Sequence, residues 1–208
     1  MDNVVLRGNT GNGVMSTPTA SDTFGGRIIG TIGSDIRLGL DYEHNTKDAE
    51  QNMVMSGMNV FMTYLWPGVE TEKLGLFFEK DLNNISYGLR YDQVELNPTR
   101  AADDPGSGMM QKTANEVYTA DYDGTIVATK RDFDNISGFL RLRTDFFHGE
   151  SYINFSVNER APDATELFHA KNNSTAMMRH VGNPNLSSER HLTLEFGYEG
   201  MLLGNHIT

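Results

Sequence analysis

Segments of strict period-two alternation, joined in turn by tight turns and by long polar connections, constrain this chain more than any other feature. Ile36 to Glu43 sets Ile36, Leu38, Leu40 and Tyr42 against Arg37, Gly39, Asp41 and Glu43. Lys73 to Val94 repeats the pattern twice across Leu82-Asn83-Asn84. Leu74, Leu76, Phe78, Ile85, Tyr87, Leu89 and Tyr91 fall on one side, and Glu79, Arg90 and Asp92 on the other. Phe24–Ile32, Ile136–Thr144, Tyr152–Arg160 and His191–Glu199 read as further strands. Between them, Gly33-Ser34-Asp35, Asn83-Asn84 and Phe147–Glu150 are tight turns, whereas His44–Glu72, Glu95–Asn135 and Ala161–Arg190 read as long loops. Structureless loops beyond about 12–15 residues are uncommon in compact domains. A transmembrane barrel alternates long outer loops with short turns and needs only about ten alternating residues per strand. The expectation is an all-β chain, an antiparallel transmembrane β-barrel segment with long extracellular loops and short periplasmic turns. On the pattern alone, a soluble up-and-down barrel or sandwich remains open.

Composition narrows the function classes. No run of eighteen apolar residues occurs, so no transmembrane helix is expected, which leaves a barrel untouched. Cysteine is absent, so neither a disulfide framework nor a thiolate metal site is available. A formal net charge of -11 argues against nucleic-acid partners and suits attraction to cations. Met1-Asp2-Asn3 shows no basic and apolar leader, so the stretch reads as cytoplasmic or as an internal piece of an exported protein. The histidines are scattered without a catalytic order, and no enzyme and no resident cofactor is expected.

The side opposite the apolar stripe carries Arg27, Arg37, Asp41, Glu79, Arg90, Asp92, Arg141, Arg143, Asn154, Arg160 and Glu195, as a wetted lumen requires. Tyr42, Tyr64, Trp66, Tyr91 and Tyr198 near strand ends suit interfacial girdles. Most of the eleven methionines lie in predicted loops, as Met53-x-Met55-x-x-Met58 with Met62, as Met109-Met110, and as Met177-Met178 before His180. Thioether sulfur is a soft ligand suited to Cu(I). The same residues also serve as flexible fillers between folded loops. Two acidic stretches, Asp41–Lys73 and Glu95–Asp134, hold most of the negative charge. They could gather cations, bind divalent ions that bridge lipopolysaccharide, or keep loops solvated.

Three stretches resemble the TonB-dependent outer-membrane receptors. The longest holds Arg160-Ala161-Pro162, Glu166-Leu167-Phe168 and Gly182-Asn183-Pro184, which resemble the strand end, loop and strand entry of that family's C-terminal barrel half. Leu65–Glu79 with Gly88–Asp92, together with Pro162–Phe168, is most similar to the copper-receptor branch. Met1-Asp2-Asn3 resembles the end of a His-x-Met-Asp-Asn stretch of that branch, without its His. The resemblance implies part of a 22-stranded barrel around a plug, with residues 1–208 forming a partial barrel that lacks the plug, the TonB box, the signal sequence and the closing strand. It further implies an energised outer-membrane importer working with the TonB complex among lipid and lipopolysaccharide. Copper is the expected cargo, a metal ion or metal chelate. Met1, Met53, Met55 and Met58 are the metal-site candidates, and Arg90, Asp92, Arg141 and Arg143 would face the lumen and plug. A siderophore or other chelate receptor is the nearer alternative, and a soluble β-domain for adhesion or binding the more distant one.

Overall fold

The computed structural model describes residues 5–6, 14–55, 58–122, 124–146, 149–171, 180–202 and 205–207. They form one antiparallel sheet of β1 (Val5–Leu6), β2 (Val14–Ser16), β3 (Thr19–Ile32), β4 (Ile36–Met55), β5 (Met58–Leu82), β6 (Ile85–Pro98), β7 (Arg131–Phe146), β8 (Gly149–Arg160), β9 (Glu189–Leu202) and β10 (Asn205–Ile207). Two helices, α1 (Ala114–Asp121) and α2 (Ala164–Phe168), interrupt the β6–β7 and β8–β9 connections. Strands follow one another in chain order, except that β2 and β3 share one edge of β4. These two are pieces of a single stave broken at Thr17-Pro18. Proline has no N–H to give the ladder, and Pro18 instead accepts a 3.1 Å bond from the Glu50 N–H.

The tight ends are as the alternation predicts. Residues 33–35 and 83–84 are turns, with Gly33 at φ 64°, a conformation that favours glycine. The expected turn at Phe147–Glu150 lies partly outside the described residues.

The long ends differ from the expectation. His44–Glu72 is not a loop: β4 and β5 run on as a paired hairpin for 20 and 25 residues. At roughly 3.3 Å per residue this is far more than a membrane crossing requires. The register shifts between Lys47 and Ala49, Ala49 and Glu50, and Gln51 and Asn52. Each bulge resets which side chains face which way, and so erases the periodicity that would have revealed the strands. Likewise β3 begins at Thr19, inside a stretch whose Gly, Ser, Thr and Pro content reads as loop, and β6 runs on to Pro98.

Cross-strand register defines two faces. On the bare face Ile28, Leu40, Leu76, Tyr91 and Ile136 form one row across five strands. Leu38, Phe78 and Leu89 lie in the row below, and the band continues through Phe155, Leu192, Leu194 and Phe196. Apart from the half-buried Phe78 these side chains are exposed, Ile28 and Phe196 to 71%. Opposite them, on the face that bears the helices, the row Arg27, Asp41, Gly75, Asp92, Asn135 is polar.

Toward the loop end the two faces exchange character. The bare face becomes Phe24, His44, Glu72, Glu95 and Asp132 in register, and the helix-bearing face becomes Val94 and Phe133, then Leu96, then Val69. Those four pack with Val117 and Tyr118 of α1 and with Leu167 and Phe168 of α2 into the buried core. The core therefore lies under the loops, at one end of the sheet.

Candidate functional site

Each loop helix is fixed by a reciprocal cap. Thr113 accepts from the Glu116 N–H at 3.1 Å while Glu116 accepts from the Thr113 N–H at 2.8 Å. Asp163 accepts from the Glu166 N–H at 2.8 Å, and Glu166 reaches back to the Asp163 N–H at 2.8 Å. The same Glu166 takes both guanidinium nitrogens of Arg160, at 2.8 and 2.9 Å, and Glu189 takes a third bond at 3.0 Å. Arg160 thereby clamps the start and end of its connection together, and holds both carboxyls below their ordinary range. The two connections also hold each other. Tyr118 donates to the Phe168 carbonyl at 2.7 Å, burial keeping its phenol protonated, and Arg131 donates to the Pro184 and Leu186 carbonyls.

The projecting β4–β5 hairpin leans on this unit. Beyond Pro98, β5 has no strand on its β6 side among the described residues, and loop groups take over its ladder. Lys112 N–H donates to the Met62 carbonyl at 3.0 Å, Ala170 N–H to Leu65 at 2.9 Å, and Gln111 Nε2 to Phe61 at 2.7 Å. Trp66 packs on His169, with ring centroids 4.7 Å apart, and Lys47 lies over the Trp66 ring at 3.9 Å. His169 Nδ1 is 2.6 Å from the His180 carbonyl, which can only accept, so the proton sits on Nδ1. Burial lowers the His169 pKa and keeps the ring neutral. Tyr64 is 7% exposed and sits against Arg100. Tyr64 and Trp66 therefore belong to the loop unit, and the expected place in an aromatic girdle is corrected. Tyr42 and Tyr91 do lie on the bare face, at the rim of its apolar band.

The methionine positions partly converge. Met1, Met177 and Met178 lie outside the described residues. Met53 pairs in register with Met15 of β2, and Met55 with Met58 at the hairpin end, so the four positions fall on one face of the sheet. Met58 is 68% exposed and Met109 99%. The Met109-Met110 loop is strapped to the same hairpin through Gln111 and Lys112. Met62, by contrast, is 3% exposed and fills the interior. Among the described residues, no group of three or more His, Asp or Glu is arranged to hold a metal ion.

Of the four predicted lumen residues, three are bound within the wall. Arg90 bonds Asp92 at 2.6 and 2.7 Å and reaches across β5 to Asp41 at 2.7 Å, and Asp41 also binds Arg27. Gly75 makes the crossing possible, because a Cβ there would collide with the Arg90 guanidinium and the Asp92 carboxylate. Arg143 bonds Asp81 at 2.5 Å and Ser86 at 2.8 Å. Arg141 lies over the Tyr152 ring at 5.1 Å and has no carboxylate partner among the described residues.

Two concavities differ in kind. One is an open, mainly apolar groove on the bare face, between Ile28, Leu38, Leu76, Leu89 and Ile136, with Arg90 and Tyr91 also in its lining. The other is a polar cavity of about 320 Å³ on the helix-bearing face, where the polar row meets the loop core. It joins residues as distant in sequence as Lys47, Asn135 and Thr165. No local pattern announces it, whereas the boxes Thr113-x-x-Glu116 and Asp163-x-x-Glu166 stand in the sequence as helix-start signals.

An antiparallel sheet whose apolar side chains point outward through a band, and whose opposite face is charged and roofed by folded loops, is the wall of a transmembrane β-barrel. The model of the TonB dependent receptor-like β-barrel matches residues 2–208, and the chain belongs to that family. It is an outer-membrane barrel segment: the bare face meets lipid, the helix-bearing face the lumen, the tight turns the periplasm and the loops the outside. The soluble β-domain reading is set aside by this result. Among solved structures, the chain is similar to "Copper transporter OprC", with a TM-score of 0.63 at 20% identity over 90% of this chain. The match covers 29% of that protein, so the chain spans under a third of its length. No curated protein sequence matches.

Proposed function

We propose that this chain is the wall and outer rim of an energised importer, driven through TonB, whose cargo is copper. The observation that carries the reading is the outer end of the β4–β5 hairpin. There Met15, Met53, Met55 and Met58 share one face, and the Met109-Met110 loop is tied alongside. Thioether sulfur favours Cu(I) over harder cations, Met58 and Met109 are exposed here, and the likeness to a copper transporter supports that choice. Met62 is excluded from the ligand set by its burial. Met1 remains a candidate on the family resemblance alone. Within the lumen, Arg141 is the guanidinium left to meet a plug, while Arg90, Asp92 and Arg143 stiffen the wall.

The test is a Cu(I) competition titration on the intact receptor carrying Met53→Leu and Met58→Leu, changes that keep volume and remove sulfur. Weaker Cu(I) binding with an unaltered folded state is expected. Unchanged Cu(I) stoichiometry and affinity would sink the rim site and favour a chelate receptor, the second reading. The present support for that second reading is the polar cavity below the rim.

A further inference from the structure

We propose that the polar cavity between the wall and α2 is a binding site for a small aminocarboxylate, such as a free amino acid or the same molecule chelating a metal. The proposal stands on the cavity's chemistry and does not depend on the methionine rim. At about 320 Å³ the cavity falls at the lower end of the roughly 300–1,000 Å³ range of small-molecule pockets.

Most charges around it are already matched. Asp92 is held by Arg90, Arg160 by Glu166 and Glu189, and Glu159 accepts from the Ile136 N–H at 2.9 Å with Arg190 at 3.7 Å. Four lining groups, Lys47, Lys73, Asn135 and Glu43, are not. Lys47 touches only the Thr165 hydroxyl, at 3.0 Å, and the Trp66 face, and has no carboxylate within ion-pair distance among the described residues. Burial lowers its pKa, an effect that the charge of Asp163, a lining carboxylate beyond ion-pair distance, only partly offsets. Lys73 is half-buried and has neither hydrogen bond nor ion pair among the described residues. Asn135 is 2% exposed, and its amide oxygen has no partner among the described residues. A buried polar atom left unpaired costs about 1–3 kcal/mol, and native structures leave few of them.

The unmet needs are of two kinds. Two ammonium groups call for an anion with several lone pairs, and the Asn135 oxygen calls for an N–H or O–H donor. The exposed Glu43, the register partner of Lys73, adds a second acceptor at the mouth. A ligand with a carboxylate beside an amino group answers both, and a bare cation or a bare anion answers only one. The apolar walls Val94 and Leu96 leave room for a short side chain.

The experiment is calorimetric titration of the intact receptor in detergent with L-histidine, with copper(II)–histidine, and with copper(I) alone. Binding of histidine or of its chelate is expected, weakened about tenfold or more by Lys73→Gln and by Lys47→Gln, each removing one charge-assisted bond. Lys47→Arg should restore part of the affinity. Glu95→Gln, on the lipid-side face, should change nothing. Histidine binding without copper assigns the free amino acid, and binding of the chelate only assigns the metal complex. If neither binds, or if affinity survives both lysine changes in protein with unaltered heat-modifiable mobility, the proposal is overturned. Loss of copper(I) binding with histidine binding intact would strike the methionine rim and leave this site standing.

Discussion

The lower and upper halves of this sheet use the same residues in opposite directions. Through the band from Ile85 to Asp92, leucine, isoleucine and tyrosine point away from the lumen and arginine and aspartate into it. Just beyond, Val94 and Leu96 point inward while Glu95 points out. The backbone is continuous and no residue is inserted in β6. What changes is the medium outside: hydrocarbon below, water above. Below, burial in lipid replaces a core. Above, the strands must make their own core, and α1 and α2 supply its second layer.

The comparison can be broken most severely in the upper core. Phe168→Ala should cost about 3–5 kcal/mol of local stability, read as faster hydrogen exchange and protease cutting in residues 98–131 and 161–171. Leu192→Ala, facing lipid, should leave that protection unchanged. Equal loss in both would mean that the two halves are not separate. Next, Leu76→Arg near the middle of the lipid band should cost about 2–4 kcal/mol in urea unfolding from vesicles. Glu72→Arg, four residues higher on the same face, should cost far less. Similar penalties at both positions would put the boundary elsewhere.

A smaller effect sharpens the inner face. Gly75→Ala should displace Arg90 and cost about 1–3 kcal/mol, whereas Gly30→Ala, where an added Cβ meets nothing within 4 Å, should be neutral. Thr113→Ala should cost about 1 kcal/mol, confined to exchange rates in 114–121. The mildest perturbation is pH. Burial holds His169 below its ordinary 6.5, so its contribution to the loop unit is complete above that pH and is lost as pH falls through the lower folded value. Trp66 emission should shift in that window, and His169→Gln should remove the shift.

The lower half was legible because lipid imposes a strict rule: every second residue apolar, nothing else tolerated. The hairpin Lys73–Val94 could be read residue by residue for that reason. The upper half obeys a looser rule. Three register shifts opposite Lys47–Asn52 each put an extra residue into β5 and scramble its parity, so paired strands looked like a polar loop. Tyr64 and Trp66 looked like interfacial aromatics because composition cannot tell a membrane rim from the underside of a folded loop. Two capping boxes stand in the sequence at the starts of α1 and α2, but the reading of Glu95–Asn135 and Ala161–Arg190 as loops passes over them. The polar cavity was not readable, since it exists only once strands β4 to β8 and α2 meet.

The capped and mutually bonded outer connections bear on recognition as well as on stability. A receptor whose rim is slack must order it each time a solute arrives, and that ordering subtracts from affinity. Here Tyr118, Arg131 and Arg160 hold the described parts of the rim in place before any solute appears. Encounter at this mouth is therefore closer to docking on a rigid surface than to wrapping, and selectivity rests on the shape and chemistry already displayed.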